Sequence, residues 1–227
     1  MENKSKREIY KLIYLLTIFK KKLNLADDIY SIYNFQALNM KRNLYHKELT
    51  EIPKEIICME NLKIVKFSGH KIKKIPRELS YLINLEKLDL SGNNISEIPK
   101  YIFNMINLEE LKLCCNNISD IPKEIGNLKS LQSLYLTQNR IRNIPKEIGC
   151  LKNLRVFNIY SNDVTHLPKE IGNLENLQKL FCNYNQLTTI PKELSNISTL
   201  EYIYIVANKI THIPKELLQN KSIKIYK

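Results

Sequence analysis

The sequence of 227 residues has no tryptophan, only five glycines and no long hydrophobic segment. Its longest mainly apolar run, residues 9–19, contains Lys11 and is much shorter than the roughly 20 residues of a membrane-spanning helix. Lysines at positions 20–22 follow this run, where a signal peptide would have small residues. The sequence therefore predicts neither a transmembrane helix nor a secretory leader.

Cysteine is also scarce, with five residues at uneven spacing. An odd, irregular set does not form a disulfide framework of the kind that secreted small domains use. We therefore expect a reducing compartment and predict an intracellular, cytoplasmic protein.

The net charge of +12 is the main feature of the composition that could indicate a nucleic-acid partner. Residues 1–47 carry +6, and the other +6 is spread thinly over residues 48–227. Lysine outnumbers arginine by 29 to 6, as in proteins of A/T-rich genomes, and arginine is the better bidentate reader of bases. Nucleic-acid binding is therefore not the favoured interpretation.

The eight prolines recur every 23 residues, and such a fixed period predicts stacked structural repeats. Each proline follows Ile or Leu and precedes Lys or Arg: Pro53, Pro76, Pro99, Pro122, Pro145, Pro168, Pro191 and Pro214.

Leucine, isoleucine and asparagine recur in phase with the prolines. The unit at Leu85, Leu88, Leu90, Asn93, Ile95 and Ile98 repeats closely over residues 62–222 and loosely over 39–61. This pattern, L-x-x-L-x-L-x-x-N-x-L, resembles the leucine-rich repeat family. The resemblance implies an α/β fold: a right-handed solenoid with a parallel β-sheet on its concave face and short 3₁₀, α or extended segments on its convex face.

The residues themselves support this architecture. The alternation at Leu88-Asp89-Leu90 has the period of a strand, and a 23-residue return makes successive strands parallel neighbours. Proline cannot donate to a β ladder, so it belongs on the opposite leg. That leg is short, so we expect a single 3₁₀ or α turn there, ended by Gly126 in its repeat. We expect about eight strands.

One asparagine per repeat can satisfy turn groups that lack a ladder partner, since its side chain both donates and accepts. We interpret these residues as a structural ladder: Asn93, Asn116, Asn139, Asn162, Asn185 and Asn208. At its front, His70 can still donate and accept, whereas Lys47 cannot accept, so we expect the regular ladder to start after residue 47.

A solenoid needs its core covered at both ends. We divide the chain into a helical N-terminal cap or flanking region at 1–38, a repeat domain at 39–222 and a short C-terminal cap at 223–227. The first helix should place Ile9, Leu12, Ile13, Leu16 and Leu23 on one face. A second should run from Asp28 through Ile29, Ile32 and Tyr33 to Leu38. A thin end cap leaves a monomer or a weak homodimer as alternatives.

Motifs for catalysis are lacking: there is no G-x-S-x-G, no glycine-rich phosphate loop and no H-E-x-x-H. His46, His70, His166 and His212 are dispersed, and Cys182 replaces a core leucine. The prediction is a protein that is not an enzyme, with no cofactor, metal site or small-molecule substrate.

The predicted concave face changes character along the chain. Lys66, Lys87, Asp89, Glu110 and Lys112 form a charged first part. Later repeats place apolar residues there, which we predict to bind a partner protein: Tyr135, Val156, Tyr160, Phe181, Tyr184, Tyr202, Tyr204 and Val206. Exposed apolar patches and tyrosines are typical of interfaces.

The leading hypothesis is therefore a protein-recognition module. The alternatives are a scaffold that uses the basic N-terminal region on a membrane surface or nucleic acid, and, by family analogy, a regulatory subunit of a signalling enzyme.

Overall fold

The computed structural model describes residues 6–23, 25, 34, 36–40 and 48–227, and describes no side chain before residue 12. In this part of the chain, nine parallel strands lie side by side in chain order in one sheet. Each strand has three residues: β1 Ala37–Asn39, β2 Ile64–Lys66, β3 Lys87–Asp89, β4 Glu110–Lys112, β5 Ser133–Tyr135, β6 Val156–Asn158, β7 Lys179–Phe181, β8 Tyr202–Tyr204 and β9 Lys224–Tyr226. The predicted solenoid is confirmed, with one strand more than expected.

The strand register follows the sequence period. Paired residues from β2 to β8 lie 23 positions apart, as in Ile64 with Lys87. The central residue of each strand from β1 to β8 is buried in one continuous core, whereas its two neighbours are not. Strand pleating puts alternate side chains on opposite faces, so one face of the sheet is left open.

The opposite leg of each repeat is one short helical turn that begins after the proline. Proline, which has no N–H to lose, fits the residue before the turn, and its carbonyl accepts the first turn bond, as from Ile125 N to Pro122 O at 3.0 Å. The turns are 3₁₀ helices η1 Lys54–Cys58, η2 Arg77–Tyr81, η3 Lys100–Asn104, η4 Lys123–Asn127, η5 Lys146–Cys150, η6 Lys169–Asn173 and η7 Lys192–Asn196, then the short helix α2 at Lys215–Gln219.

The asparagine column forms a hydrogen-bonded ladder. In each repeat, Oδ1 accepts a backbone N–H from the preceding repeat and Nδ2 donates to a carbonyl there, as Asn162 does with Ile141 N at 3.0 Å and Leu136 O at 2.9 Å. Four of the six asparagines are buried, and Asn139 and Asn208 are half-buried. Their common role is to satisfy buried backbone groups between repeats.

His70 takes the place of asparagine at the front of this ladder. Its Nδ1 accepts from Leu49 N at 3.4 Å and its Nε2 contacts Met40 O. The expectation that His70 both donates and accepts fits this arrangement, while Lys47 and His46 lie outside the described residues.

A glycine in each of η4, η5 and η6 allows neighbouring turns to approach closely. A Cβ on Gly126 would lie 3.0 Å from Glu147 O, and one on Gly149 would overlap with Glu170 O. Gly126 lies inside η4 and is not among the residues with positive φ. The turn continues one residue beyond Gly126, so the prediction that Gly126 ends it is off by one residue, and the position requires a small residue because of the close approach to the next turn.

The helix α1, Lys6–Leu23, packs against η1. Leu12, Leu16, Phe19 and Leu23 belong to the core, whereas Ile13 is 38% exposed. The prediction that Ile13 lies on the buried face is wrong. The residues that the 3.6-residue period aligns with Leu12 and Leu16 are Phe19 and Leu23, and Ile13 lies beside this stripe. The predicted second helix lies outside the described residues at 28–33, and Leu38 is not helical because it is the buried centre of β1.

Candidate functional site

The first and third residues of each strand form two columns on the open face of the sheet, which corresponds to the predicted concave face. We call the open-face residues of β2–β4 the front half and those of β7–β9 the rear half. The backbone register is the same in both, so their chemistry depends on the side chains alone.

The front half carries charges that are partly neutralised within the protein. Lys112 Nζ lies 3.1 Å from Glu110 Oε1 on the same strand, and Lys63 Nζ, beside β2, lies 2.8 Å from Glu86 Oε1. Burial alone would lower the pKa of the Lys112 ammonium, but the hydrogen bond and negative charge of Glu110 outweigh it, so the pKa is raised. A charged ligand of the front half would have to compete with these internal ion pairs.

The rear half is built around a column of stacked rings. Phe181 and Tyr204 have ring centroids 4.7 Å apart with planes 6° from parallel, and Tyr204 and Tyr226 are likewise 4.7 Å apart at 7°. The three are partners in the strand register, and the distance matches the roughly 4.8 Å between strands. The pairing of the strands thus sets the spacing of the stacked rings.

Tyr202 lies in the adjoining column, 6.2 Å from the Tyr204 ring. Its register partners are two lysines, whose Nζ atoms lie 5.8 Å (Lys179) and 5.6 Å (Lys224) from the Tyr202 centroid. These are cation–π distances. We call Phe181, Tyr202, Tyr204 and Tyr226 the aromatic patch.

Two more predicted residues form a neighbouring pair. The rings of Tyr160 and Tyr184 lie 5.2 Å apart with planes tilted by 55°. Tyr184 is 54% exposed and has a left-handed backbone, with φ of 55°. Val156 is half-buried on β6, and Val206 is exposed after β8.

Tyr135 stands apart from the stack. Asn158 occupies the position between Tyr135 and Phe181 in the same column. The Nζ atom of Lys112 lies over the Tyr135 ring at 5.3 Å, so this tyrosine interacts with the front half. The predicted partner-binding residues therefore do not form one unbroken set.

Tyr226 completes the stack and is missing from the sequence-predicted set. It lies 22 residues after Tyr204, whereas paired residues from β2 to β8 lie 23 residues apart. The shortened last period hides it, although the alternation Ile223, Ile225 around Lys224 and Tyr226 carries the strand signal.

The thiols and imidazoles show no catalytic arrangement in the part of the chain described. Complete burial raises the pKa of the Cys182 thiol, and burial also raises that of Cys115. Within residues 6–23, 25, 34, 36–40 and 48–227, no three His, Cys, Asp or Glu side chains come together as a metal site.

Comparison with known families agrees with this geometry. A family model described as a leucine-rich repeat region matches residues 15–164 and 100–220. The chain belongs to the leucine-rich repeat family. Proteins of this family are generally binding modules rather than enzymes.

Solved leucine-rich repeat structures resemble this chain closely. One from a Leptospira interrogans protein is 36% identical, with a TM-score of 0.77 over 82% of this chain and 47% of that one. The ectodomain of the Arabidopsis thaliana receptor kinase GASSHO1/SCHENGEN3 is 31% identical, with a TM-score of 0.70 over 77% and 22%. Internalin C2 of Listeria monocytogenes shares the fold at 22% identity, with a TM-score of 0.78 over 93% and 91%.

The chain thus spans less than half the length of the first two structures. No curated protein matches its sequence. None of the helices described here is long and apolar enough to cross a membrane.

Proposed function

We propose that this leucine-rich repeat protein is a non-enzymatic recognition module that binds a partner protein on the rear half of its open face. The observation that carries the proposal is the aromatic patch, in which four rings on three adjacent strands remain accessible on a surface where the core requires no aromatic residue. Contiguous exposed apolar surface is typical of interfaces, and tyrosine is enriched among residues that dominate binding energy.

The comparisons support this class of function. The Arabidopsis receptor ectodomain was solved in complex with CASPARIAN STRIP INTEGRITY FACTOR 2. Another solved structure, PEPR1-AtPEP1, is 30% identical to this chain, with a TM-score of 0.68 over 77% of this chain and 25% of that one. This chain covers only 22% and 25% of those two structures, so their partners are not assigned to it. The class of partner follows instead from the open face of this chain.

The scaffold alternative receives less support from the structure. Leu16 and Phe19 of α1 are fully buried in the core, so this face of the helix cannot also insert into a membrane surface. A role as a regulatory subunit rests on family analogy and is contained in the broader proposal of protein binding. The intracellular location stays a prediction, which fractionation of the native cells would test.

The test of the proposed function is partner capture with matched variants. The double variant Tyr160→Ala, Phe181→Ala should lose a partner that the wild type captures while keeping its melting temperature, because an interface hot spot typically contributes about 2 kcal/mol or more, roughly thirtyfold in affinity. The control Lys146→Glu, Lys169→Glu changes the turn leg of the solenoid and should retain the partner. The opposite pattern would contradict binding on the open face.

A further inference from the structure

The central ring of the stacked column in the aromatic patch presents its edge rather than its faces to solvent. Tyr204 lies between Phe181 and Tyr226 at 4.7 Å on either side, with planes within 7° of parallel. Both faces of its ring are therefore covered by neighbouring rings. An aromatic ring is negative on its face and positive along its edge, so the accessible rim of this column is weakly electropositive.

The lysines beside the stack add full positive charge to this rim. Lys179 and Lys224 are exposed, and within the described part of the chain neither forms an ion pair. Their Nζ atoms lie within 6 Å of the Tyr202 centroid instead. Unlike Lys112 in the front half, they have no carboxylate of their own to displace.

The six open-face positions of β7–β9 contain no carboxylate: they are Lys179, Phe181, Tyr202, Tyr204, Lys224 and Tyr226. Among the described residues, the hydroxyl groups of Tyr204 and Tyr226 make no hydrogen bond within the protein. Each hydroxyl is a donor for an incoming oxygen. The rear half thus combines ammonium groups, ring edges and free hydroxyls.

We infer that the rear half of the open face recognises a segment of a partner protein that carries both carboxylates and an aromatic ring. This inference rests on the proposed function and names the class of partner. The partner's aromatic face packs on the edges of the stack in the T-shaped arrangement that ring quadrupoles favour. Its carboxylates accept from Lys179, Lys224 and the two tyrosine hydroxyls.

The same geometry argues against two other classes of ligand, a basic peptide segment and a single-stranded nucleic acid. A lysine-rich or arginine-rich segment would need open ring faces for cation–π contacts, and the protein's own lysines already occupy Tyr202. A single-stranded nucleic acid would need several open ring faces in succession on which to stack its bases, and both faces of the central Tyr204 are covered.

The experiment is selection from a random peptide library displayed on phage, with the full chain as bait. Clones are then sorted by whether they still bind the Phe181→Ala, Tyr204→Ala variant, whose melting temperature must match the wild type. We expect the patch-dependent clones to be net acidic and to contain Phe, Tyr or Trp. Patch-dependent clones that are neutral or basic would overturn the acidic-partner inference and leave the proposed function standing, whereas absence of patch-dependent clones would overturn both.

A charge-reversal pair sharpens the test with a synthetic probe. A fluorescein-labelled peptide containing Glu and Phe should lose about tenfold in affinity with Lys179→Glu, Lys224→Glu, since each exposed ion pair contributes modestly. Its glutamine-substituted analogue should bind both proteins weakly and equally. The variant Lys146→Glu, Lys169→Glu changes the net charge by the same amount on the other leg and should bind as the wild type does.

An oligothymidylate of the same net charge is the final probe. Binding of this oligonucleotide that equals or exceeds that of the acidic aromatic peptide, and that is lost in the Phe181→Ala, Tyr204→Ala variant, would overturn the inference in favour of a nucleic-acid partner. The inference would also be overturned if the Lys179→Glu, Lys224→Glu variant and the Lys146→Glu, Lys169→Glu variant lost peptide affinity equally. The net charge of the protein would then explain the affinity.

Discussion

The front and rear halves of the open face have the same backbone and different chemistry. In β3, the buried Leu88 stands between Lys87 and Asp89; in β8, the buried Ile203 stands between Tyr202 and Tyr204. The front half holds charges of both signs, with Lys112 paired to Glu110, while the rear half stacks rings and has lysines but no carboxylate at its open-face positions. The comparison shows that the repeat fixes the inward residue and leaves the two outward residues free for recognition.

The largest expected effect comes from disrupting the hydrophobic core on which both halves of the open face rest. Leu134 is fully buried at the centre of β5, between the halves, and Leu134→Asp would place an unpaired charge in the continuous core. We expect a loss of more than about 4 kcal/mol, enough to unfold the protein in circular dichroism.

Its matched control is the adjacent open-face substitution Tyr135→Asp, which we expect to change the unfolding free energy by about 1 kcal/mol or less. A Leu134→Asp protein that melts like the wild type would contradict the fold and, with it, the division into inward and outward columns.

The second effect concerns the front end alone. Phe19 of α1 is fully buried, and Phe19→Ala should lower the unfolding free energy by about 3–5 kcal/mol through the cavity it leaves. Tyr14→Ala on the same helix, at a site 66% exposed, should change it by about 0.5 kcal/mol or less. Chemical denaturation with light scattering measures both; equal stability of the two variants would show that α1 does not cover the first repeat.

The third effect compares the histidine at the front of the asparagine ladder with an asparagine inside it. His70→Leu should cost about 1–3 kcal/mol because Leu49 N–H and Met40 C=O lose their side-chain partner. Asn162→Leu should cost more, since Ile141 N–H and two carbonyls lose theirs. Urea titration of both variants checks the order, and a smaller loss for Asn162→Leu would contradict the argument that the cost follows the number of backbone groups left without a partner.

The smallest effect is the pH dependence of an ion pair at the front end. Burial alone would raise the pKa of the Glu55 carboxyl, but hydrogen bonds from Lys22, at 2.9 Å, and the Lys22 charge hold it below its ordinary value of 4.5. The pair therefore stabilises the fold above about pH 4.5, and the contribution is lost as the pH falls through the lowered pKa.

Glu55→Gln should accordingly cost about 0.2–1 kcal/mol at pH 7, and the difference from the wild type should shrink toward pH 3. Melting temperatures of both proteins across this range measure it. A difference that grows on acidification would contradict the sign of the shift.

The repeat could be predicted from the sequence because each inward position requires one narrow residue type. Pro122 ends an extended leg, Leu134 fills the core and Asn139 satisfies turn groups, so their period is visible without a structure. The role of Gly126 could not be predicted, since only the structure shows that a Cβ there would meet Glu147.

The candidate site was predictable in composition and not in arrangement. Phe181, Tyr202 and Tyr204 follow from the alternation within their strands, but Tyr226 is displaced by one residue and Tyr135 is separated by Asn158. That the rings meet face to face depends on side-chain rotation, which no period in the sequence reports.

The constant 23-residue register has a consequence for the kinetics of folding. Each ladder contact joins residues about 23 positions apart wherever it lies in the chain, so the relative contact order is only about 0.1 for a protein of 227 residues. The entropy of closing each loop does not grow as repeats are added. We therefore expect this protein, although its strands form one continuous sheet, to begin folding at any adjacent pair of repeats and to grow outward, at rates more typical of helical bundles than of β-sandwiches.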